Sequence, residues 1–570
     1  MKKRLLLTSA LLLLLFAGGK AQRSSIEKVN NSIQLYYDKE PFFILGGELG
    51  NSSASSVKDI RQIFPKLKAI GLNTVLVPVY WDLLEPQEGS FDFTLLDETL
   101  SEARKNDLRL VLLWFGAWKN SMSCYAPLWF KSDYKRFPRA YTSNGKPLEI
   151  ASAFSDEVLK ADSKAFNRVI SHIKEKDAQI GTVVMIQVEN EIGMLESARD
   201  CSAIANKKFS QQVPEELITY LSKNKEKLHP VMLKRWQEAV SKKRGTWSEV
   251  FGEGIETDEI FMAYHYAKYV EVMTKGGKSI YNIPMYVNAA MNSRNRKPGE
   301  YPSAGPLAHL IDVWHCAAPS IDFLAPDLYD KGFKDWTAQY KLHNNPLFIP
   351  EIRLEDNDGV RACYVLGEMD GLGFSPFSIE DYNYSEKKPL VQSYKMLQEL
   401  MPLIKKYKGS DKMRGVLLDK ETRTTTLKME PKVELTCSHY FTLPWDPRAK
   451  EDNEWPEGGA LLIRLSDMEY IIAGSGIVVT FQEDGSKTAM KVELGEDGFI
   501  NNGGKKRDSE ERWNKDYRIG IGYVDEVNMD KEGKIERIRR FNGDQDHQGR
   551  HARISVDDFK ILHVKLYSYK

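Results

Sequence analysis

The chain has 570 residues, more than one ordinary domain and enough to bury sizeable cores. Its 80 Lys and Arg balance 80 Asp and Glu, so net charge is zero and gives no electrostatic case for nucleic acid or an anionic surface as a partner. The five cysteines are dispersed, odd in number and without a C-x-x-C, which argues against a zinc site and against a disulfide framework, although one or two bridges stay open.

At the N-terminus Lys2, Lys3 and Arg4 precede apolar runs at 5–7 and 10–17, and Gly18, Gly19, Lys20 and Ala21 follow. A basic start, a short apolar middle and a small-residue exit read as a secretory signal peptide over 1–21, which predicts export to the periplasm or beyond. The apolar middle is too short to span a bilayer, and no later stretch approaches that length, so no membrane span is expected.

From 42 to 376 short apolar runs alternate with amphipathic helical patterns. The runs are 42–45, 74–79, 108–114, 183–188, 284–287, 321–324, 347–349 and 371–374; helical patterns lie between them at 56–70, 95–105, 163–176 and 260–274. Strand and helix alternating in this way predict an α/β fold, a (β/α)8 TIM barrel occupying 22–407. One connection, at about 196–257, is a long charged helical insertion. Its place after the fourth run predicts a wall or lid for a site at the barrel mouth, while Lys223, Lys225 and Lys227 read as a solvated face. A helix at 388–406 closes the barrel and 408–411 reads as a linker.

Beyond it, 408–570 reads as a smaller antiparallel β-sandwich-like domain. Its strand-like runs are 415–418, 424–429, 433–435, 460–465, 469–472, 477–481, 491–494, 517–524, 534–541 and 560–569, with turns at 483–485 and 502–504. The stretch 528–533 resembles a calcium loop, but Arg539 stands where the bidentate Glu belongs, so it is read as a hairpin turn. Buttressing of the barrel is the default role for this domain; carbohydrate binding and oligomerisation are the alternatives.

The chemistry centres on Ile186-Gln187-Val188-Glu189-Asn190-Glu191-Ile192-Gly193. An apolar, β-branched run reads as a strand buried on both faces. The polar groups that follow stand at the C-terminal end of a barrel strand, where reacting groups point. An Asn-Glu pair there suits holding a sugar hydroxyl and protonating a glycosidic oxygen; a strand running into a charged loop is the plain alternative. The second carboxylate is Glu351, at the edge of the seventh run and across the mouth from the fourth. Carboxyls about 5–5.5 Å apart give retention and roughly 6.5–9.5 Å gives inversion, and the sequence leaves both open. In the retaining scheme Glu191 is acid and then base, and Glu351 is an ionised nucleophile oriented by Arg353 or a tyrosine. Strand alternation turns Glu189 the other way, into a structural role. Glu48, Asn51, Trp118 and Lys119 also emerge at this face. Trp118 or Trp81 would be the aromatic platform a pyranose needs, and Glu48 with Asn51 would bind hydroxyls; each singly is as readily structural.

These residues carry a resemblance. Gln187 to Gly193 is similar to the acid/base signature of glycoside hydrolase family 35, the β-galactosidases of the retaining (β/α)8 clan. Tyr80-Trp81-Asp82-Leu83-Leu84-Glu85-Pro86, continuing to Gly89-Ser90-Phe91-Asp92-Phe93, resembles that family's second-strand motif. Met285-Tyr286-Val287-Asn288 and Ala325-Pro326-Asp327-Leu328-Tyr329 resemble a subgroup with a C-terminal β-domain of unassigned role. The resemblance implies Glu191 as acid/base, Glu351 as nucleophile, Asn190 at the 2-hydroxyl, Tyr80 at ring hydroxyls, Tyr329 hydrogen-bonded to the nucleophile, and Asn288 among the substrate-binding residues. The first and third strand ends, Gly46-Gly47-Glu48-Leu49-Gly50-Asn51-Ser52 and Trp114-Phe115-Gly116-Ala117-Trp118-Lys119-Asn120, depart from the family pattern, so they do not carry its sugar specificity.

The expectation is an exported, exo-acting retaining β-galactosidase that trims glycan side chains. A β-glucosaminidase or β-glucosidase of the same clan is the alternative within enzymes. A non-catalytic glycan-binding barrel is the alternative outside them, and the presence of both Glu191 and Glu351 weighs against it. No H-E-x-x-H, P-loop or G-x-G-x-x-G in a βαβ start is present, so no metal or nucleotide cofactor is expected.

Overall fold

The computed structural model describes residues 23–29, 32–292, 295–342, 345–443, 445–450, 453–485, 516–556 and 558–570. The leader at 1–21, the strand expected at 491–494 and the turn at 502–504 lie outside the described residues.

Eight parallel strands make one sheet: β1 (Ile44–Leu45), β2 (Thr74–Tyr80), β3 (Arg109–Phe115), β4 (Val183–Gln187), β5 (Met285–Ala290), β6 (Phe323–Leu328), β7 (Phe348–Ile352) and β8 (Gly373–Pro376). Each pairs with its neighbours in sequence, and β8 pairs with β1. The remaining gap closes just past β1, where Leu76 N–H donates to Gly47 O at 3.0 Å and Leu49 N–H to Leu76 O at 3.0 Å. This is a (β/α)8 TIM barrel. β2, β4 and β7 are buried at every position because the barrel interior covers one face and helices cover the other.

The helices follow their apolar spacing. In α1 (Val57–Ile70) Ser56 caps the start by accepting from Asp59 N–H, and Ile60, Phe64, Leu67 and Ile70 form the buried stripe. In α2 (Asp156–Asp177) the buried positions run from Val158 through Phe166 and Val169 to Ile173 and Asp177, with two carboxylates among them, Asp162 and Asp177. The insertion forms short helices at Ala203–Phe209, Glu215–Lys223, Pro230–Glu238 and Trp247–Phe251. They pack on α3 (Ile255–Ile280) and on the helix Ile311–Ala317, burying Trp236, Trp247 and Phe251. The insertion thus braces these helices.

The C-terminal strands are β9 (Met413–Leu418), β10 (Thr424–Glu430), β11 (Val433–His439), β12 (Gly458–Ser466), β13 (Glu469–Ser475), β14 (Ile477–Glu483), β15 (Arg518–Met529), β16 (Ile535–Phe541), β17 (Ala552–Ile554) and β18 (Lys560–Tyr569). They form an antiparallel six-stranded sheet, β9-β12-β13-β18-β15-β16, and a four-stranded sheet, β10-β11-β14-β17. The stretch at 528–533 turns β15 into β16, with Asp530 Oδ1 accepting from Glu532 and Lys534 N–H at 3.0 and 2.8 Å.

The larger sheet is apolar on both faces. Ala460, Leu462, Tyr470, Ile472, Leu562 and Val564 pack inside the sandwich. Their neighbours Leu461, Ile463, Ile471, Ala473 and Ile561 belong to the barrel's own core. The period-two alternation of these strands therefore joins two cores through one sheet. Helix α4 (Asp358–Gly367) lies in the seam, so close that a Cβ on Gly367 would stand 2.6 Å from Arg414 C and Gly415 N. Arg414 clamps the same place through paired 2.8 Å hydrogen bonds to Glu368.

Because the atoms facing Gly367 are main chain and cannot swing aside, Gly367→Ala is expected to destabilise the protein by about 1–3 kcal/mol. A thermal melt reads this as a lower Tm, and an unchanged Tm would contradict the close seam.

Candidate active site

The backbone beyond β4 sets the site. Val188 N–H still bonds Tyr286 O at 2.9 Å, but Glu189 and Glu191 then take left-handed φ values of 59° and 46°. Such conformations cost about 1–3 kcal/mol each outside glycine and persist only where the surroundings over-determine them. Here Asn190 N–H bonds Trp118 O at 3.3 Å, Glu191 N–H bonds Asn288 Oδ1 at 2.9 Å, and Ser121 N–H bonds Glu191 O at 3.2 Å. The kinked segment directs Glu189 into the barrel wall and Glu191 into the mouth.

In the mouth, Asn120 Nδ2 donates to Glu191 Oε2 and the Tyr329 hydroxyl donates to Glu351 Oε1. Asn288 binds the Glu191 backbone with its oxygen and Asp327 Oδ2 with its nitrogen, at 2.7 Å. Asp327 and Glu351 are register partners on β6 and β7. Carboxylate oxygens of Glu191, Asp327 and Glu351 all lie within 4.8 Å of one another.

Glu48, from the turn after β1, is a fourth carboxyl, fully buried beside them. A nearby cation is Lys119, also buried. Like charges this close in a poorly hydrated pocket cannot all ionise. Burial, and then the charge of Glu351, hold Glu48 well above the usual carboxylate range; burial and Glu351 do the same to Asp327. Glu351 is pushed up to about 7, first by burial and then by Glu191, with Lys119 and the Tyr329 hydrogen bond opposing the shift. Glu48 shares a hydrogen bond with Glu351 and Asp327 with Glu191, while both side-chain polar atoms of Asn190 and the Tyr286 hydroxyl lack a donor or acceptor partner of good geometry in the protein. Buried polar atoms are ordinarily paired, so this concentration suits a ligand rich in hydroxyls.

Glu189 closes a second carboxyl pair in the wall. Its Oε2 accepts from Trp118 N–H at 2.8 Å. Its fully buried neighbour Asp162 accepts from Trp114 Nε1 at 2.9 Å and from Tyr269 OH at 2.8 Å. Burial and Asp162 hold Glu189 well above the usual range, so Glu189 carries the proton and donates it to Asp162. Gly116 is required here, since a Cβ would stand 2.7 Å from Asp162 Oδ1 and 2.8 Å from Glu189 Oε1.

The structure brings together Glu191, Glu351, Asn190, Asn288, Tyr329 and Glu48. Asn51 is half-buried at the rim, its Oδ1 unpartnered. Three expectations need correction. Trp81 is fully buried, with Nε1 bonded to Glu85 and the ring packed on Trp114, Trp129 and Phe130, so it offers no platform. Trp118 is equally buried, edge-on to Tyr266 and Tyr269 of α3. The Tyr80 hydroxyl accepts from Ala54 N–H at 3.2 Å and its ring packs on Phe115 and Tyr125, so it braces the loop after β1. Tyr329, not Arg353, orients Glu351. Sequence reasoning missed the roles of Asp327 and Asn120, although each sits at a strand end or just past one. The acidic trio has the spacing of a cation pocket, but it offers neither His nor Cys. Asn288, Tyr329 and Asn120 already engage one oxygen of each, which leaves it short of the six or more oxygens a hard cation takes. The five cysteines are free thiols.

Residues 52–252 match the model of glycoside hydrolase family 42, described as Beta-galactosidase. The match corrects the family 35 expectation to a family 42 likeness within the same type of barrel hydrolase. Residues 390–553 match a domain of unknown function, DUF5597. A β-galactosidase of Xanthomonas manihotis is 27% identical over 171 residues, 28% of this chain and 25% of that protein. The alignment thus spans about a quarter of that relative. Among solved structures, the β-galactosidase of Bacillus circulans sp. alkalophilus is 14% identical at a TM-score of 0.42, covering 63% of this chain and 56% of that one. The β-mannanase of the blue mussel Mytilus edulis is 13% identical at 0.40, covering 66% and 97%.

The wall pair makes a prediction. Glu189→Gln keeps a donor toward Asp162 and an acceptor for Trp118 N–H, so it is expected to cost less than about 1 kcal/mol. Asp162→Asn turns an amide NH2 toward donors and is expected to cost about 1–3 kcal/mol. Denaturant unfolding that ranks the two the other way would reverse the assignment of the proton.

Proposed function

We propose that the protein is a retaining, exo-acting β-galactosidase that works by double displacement. The observation that carries this reading is the pair Glu191 and Glu351, with carboxylate oxygens within 4.8 Å at the C-terminal mouth of the barrel. That separation fits a nucleophile and an acid/base with the sugar between them, and leaves too little room for the interposed water of an inverting site. The match of 52–252 to a β-galactosidase family supports the same sugar.

In the first step Glu351 attacks the anomeric carbon as the glycosidic bond breaks, and Glu191 gives its proton to the departing oxygen. In the second Glu191 takes a proton from water, which displaces Glu351 and regenerates both groups. Tyr329 fixes the attacking carboxylate, and Asn190 is placed for the 2-hydroxyl. The neutral carboxyls of Glu48 and Asp327 supply donors and acceptors for the remaining hydroxyls. Their near-complete burial makes a closed pocket, which favours a terminal sugar over an internal one. The N-terminal leader supports export, with glycans outside the cytoplasm as the substrates.

With an aryl β-galactoside, Glu191→Gln and Glu351→Gln are each expected to lower kcat by at least about 10²–10⁴. Azide should rescue Glu191→Ala as a β-galactosyl azide and Glu351→Ala as the α anomer. Activity surviving both substitutions would refute the pair, and an α-anomer as first product of the wild type would refute retention.

The pH dependence follows from Glu351, which must be ionised to attack. In the free protein kcat/KM should rise with pH through about 7. The Tyr329 hydrogen bond favours the carboxylate, so Tyr329→Phe should move this limb to higher pH. A limb that stays put or moves down would assign it to another group.

A further inference from the structure

A groove of about 800 Å³ belongs to both parts of the chain. On one side it is lined by Tyr329 and Phe333 after β6 and by Ile352 and Arg353 at the end of β7; on the other by Glu421 and Trp455 of the C-terminal domain. We propose that this groove is the acceptor-side subsite of the enzyme, holding the glycan chain that carries the terminal sugar, and that the C-terminal domain thereby takes part in substrate recognition. The inference rests on the glycosidase reading above and extends it to the substrate class: a terminal β-linked sugar on an extended oligosaccharide or polysaccharide, in preference to a free disaccharide.

Continuity is the first argument. The residue whose hydroxyl bonds Glu351, Tyr329, is also a wall of the groove. Glu48, Asn190, Asn288 and Asp327 are no more than 1% exposed, whereas Tyr329 is 41% exposed. The pocket is therefore closed at its floor and open on the β6 side, and a chain leaving the anomeric carbon passes over Tyr329 into the groove.

Rigidity is the second. The groove crosses the junction of the two cores, and polar bonds pin its banks. Arg361 Nε and Asn357 Nδ2, from the barrel, both bond Glu457 Oε2 of the C-terminal domain, at 2.6 and 2.9 Å. Lys334 Nζ donates to Leu417 O at 3.3 Å. Trp455 is fixed by stacking on His439, centroids 4.9 Å apart, and by Arg423 at 4.8 Å from its centroid. A preformed surface of this kind loses little entropy on binding.

Chemistry is the third. Aromatic surface from Tyr329 and Trp455 stands beside charged groups of both signs, among them Arg353 and Glu421. Sugars present C–H faces for the former and hydroxyls, as donors and acceptors, for the latter. A size of about 800 Å³ lies within the range of ligand sites, roughly 300–1,000 Å³, and exceeds what one aryl group fills.

The test compares kcat/KM for a β-galactan tetrasaccharide and for an aryl β-galactoside, in the full-length wild type, Trp455→Ala and Glu421→Arg. Each substitution should lower the tetrasaccharide-to-aryl ratio about tenfold or more. Glu421 is exposed, so its variant keeps the test meaningful if Trp455→Ala folds poorly. A ratio that holds in both variants overturns the proposal while leaving the glycosidase reading intact. Loss of activity on both wild-type substrates would fail the glycosidase reading instead. Titrating the tetrasaccharide into Glu351→Gln, with and without Glu421→Arg, then reads the groove directly: about tenfold weaker binding supports it, and equal or absent binding overturns it.

Discussion

Several carboxyls held together in a water-poor pocket form the constraint on which the barrel's mouth depends. Glu48, Glu191, Asp327 and Glu351 converge there with Lys119 as a nearby cation. Their mutual repulsion would drive the strand ends apart or draw in water if every group ionised. The structure answers by burying Glu48 and Asp327, which holds both well above the usual carboxylate range, and by tying the others to fixed donors, Asn120 to Glu191 and Tyr329 to Glu351. Asn288 links two of the strand ends, bonding the Glu191 backbone with one atom and Asp327 with the other. The left-handed turns at Glu189 and Glu191 are stable because of these ties, and the strain they store is confined to the segment that aims the proposed acid/base.

The same strategy appears one layer out. Glu189 and Asp162 share a proton between β4 and α2, and their bonds to Trp114, Trp118 N–H and Tyr269 draw two strands and two helices onto one point. Buried polar networks of this kind specify geometry when every member is satisfied. The inner cluster leaves both side-chain polar atoms of Asn190 unpartnered, as binding would require; the outer pair takes its donors from Trp114, Trp118 and Tyr269, as support would require.

How much of this was legible in the sequence differed by level. The eight apolar runs located every barrel strand, because strands covered on both faces are continuously apolar. Glu191 and Glu351 could be singled out because strand ends at one face of a barrel converge whatever lies between them. Trp81 and Trp118 could not be placed the same way. Each lies just past a strand, where the chain turns, and alternation no longer tells whether a ring enters the mouth or the wall. Tyr80 ends its strand, but its hydroxyl meets Ala54 of a loop whose path no periodicity encodes. The insertion at 196–257 was visible as helix, yet which helices it braces depended on surfaces distant in the chain. Burial on both faces of β12 and β13 was readable as apolar content. That one face would enter the barrel's core was not.

The sequence by itself determined the alternation of strand and helix, the all-β character of the last third and the identity of the two facing glutamates. These are encoded locally, in apolar periodicity and in what stands at the end of each run. Tertiary structure alone decided the approach of the carboxylates to within 4.8 Å, the upward shift of Glu48 and Asp327, and the groove shared by barrel and sandwich. All three arise where strand ends and surfaces far apart in the chain meet. Distances there follow from closure of the sheet and packing of the seam, and charge states follow from the burial that results.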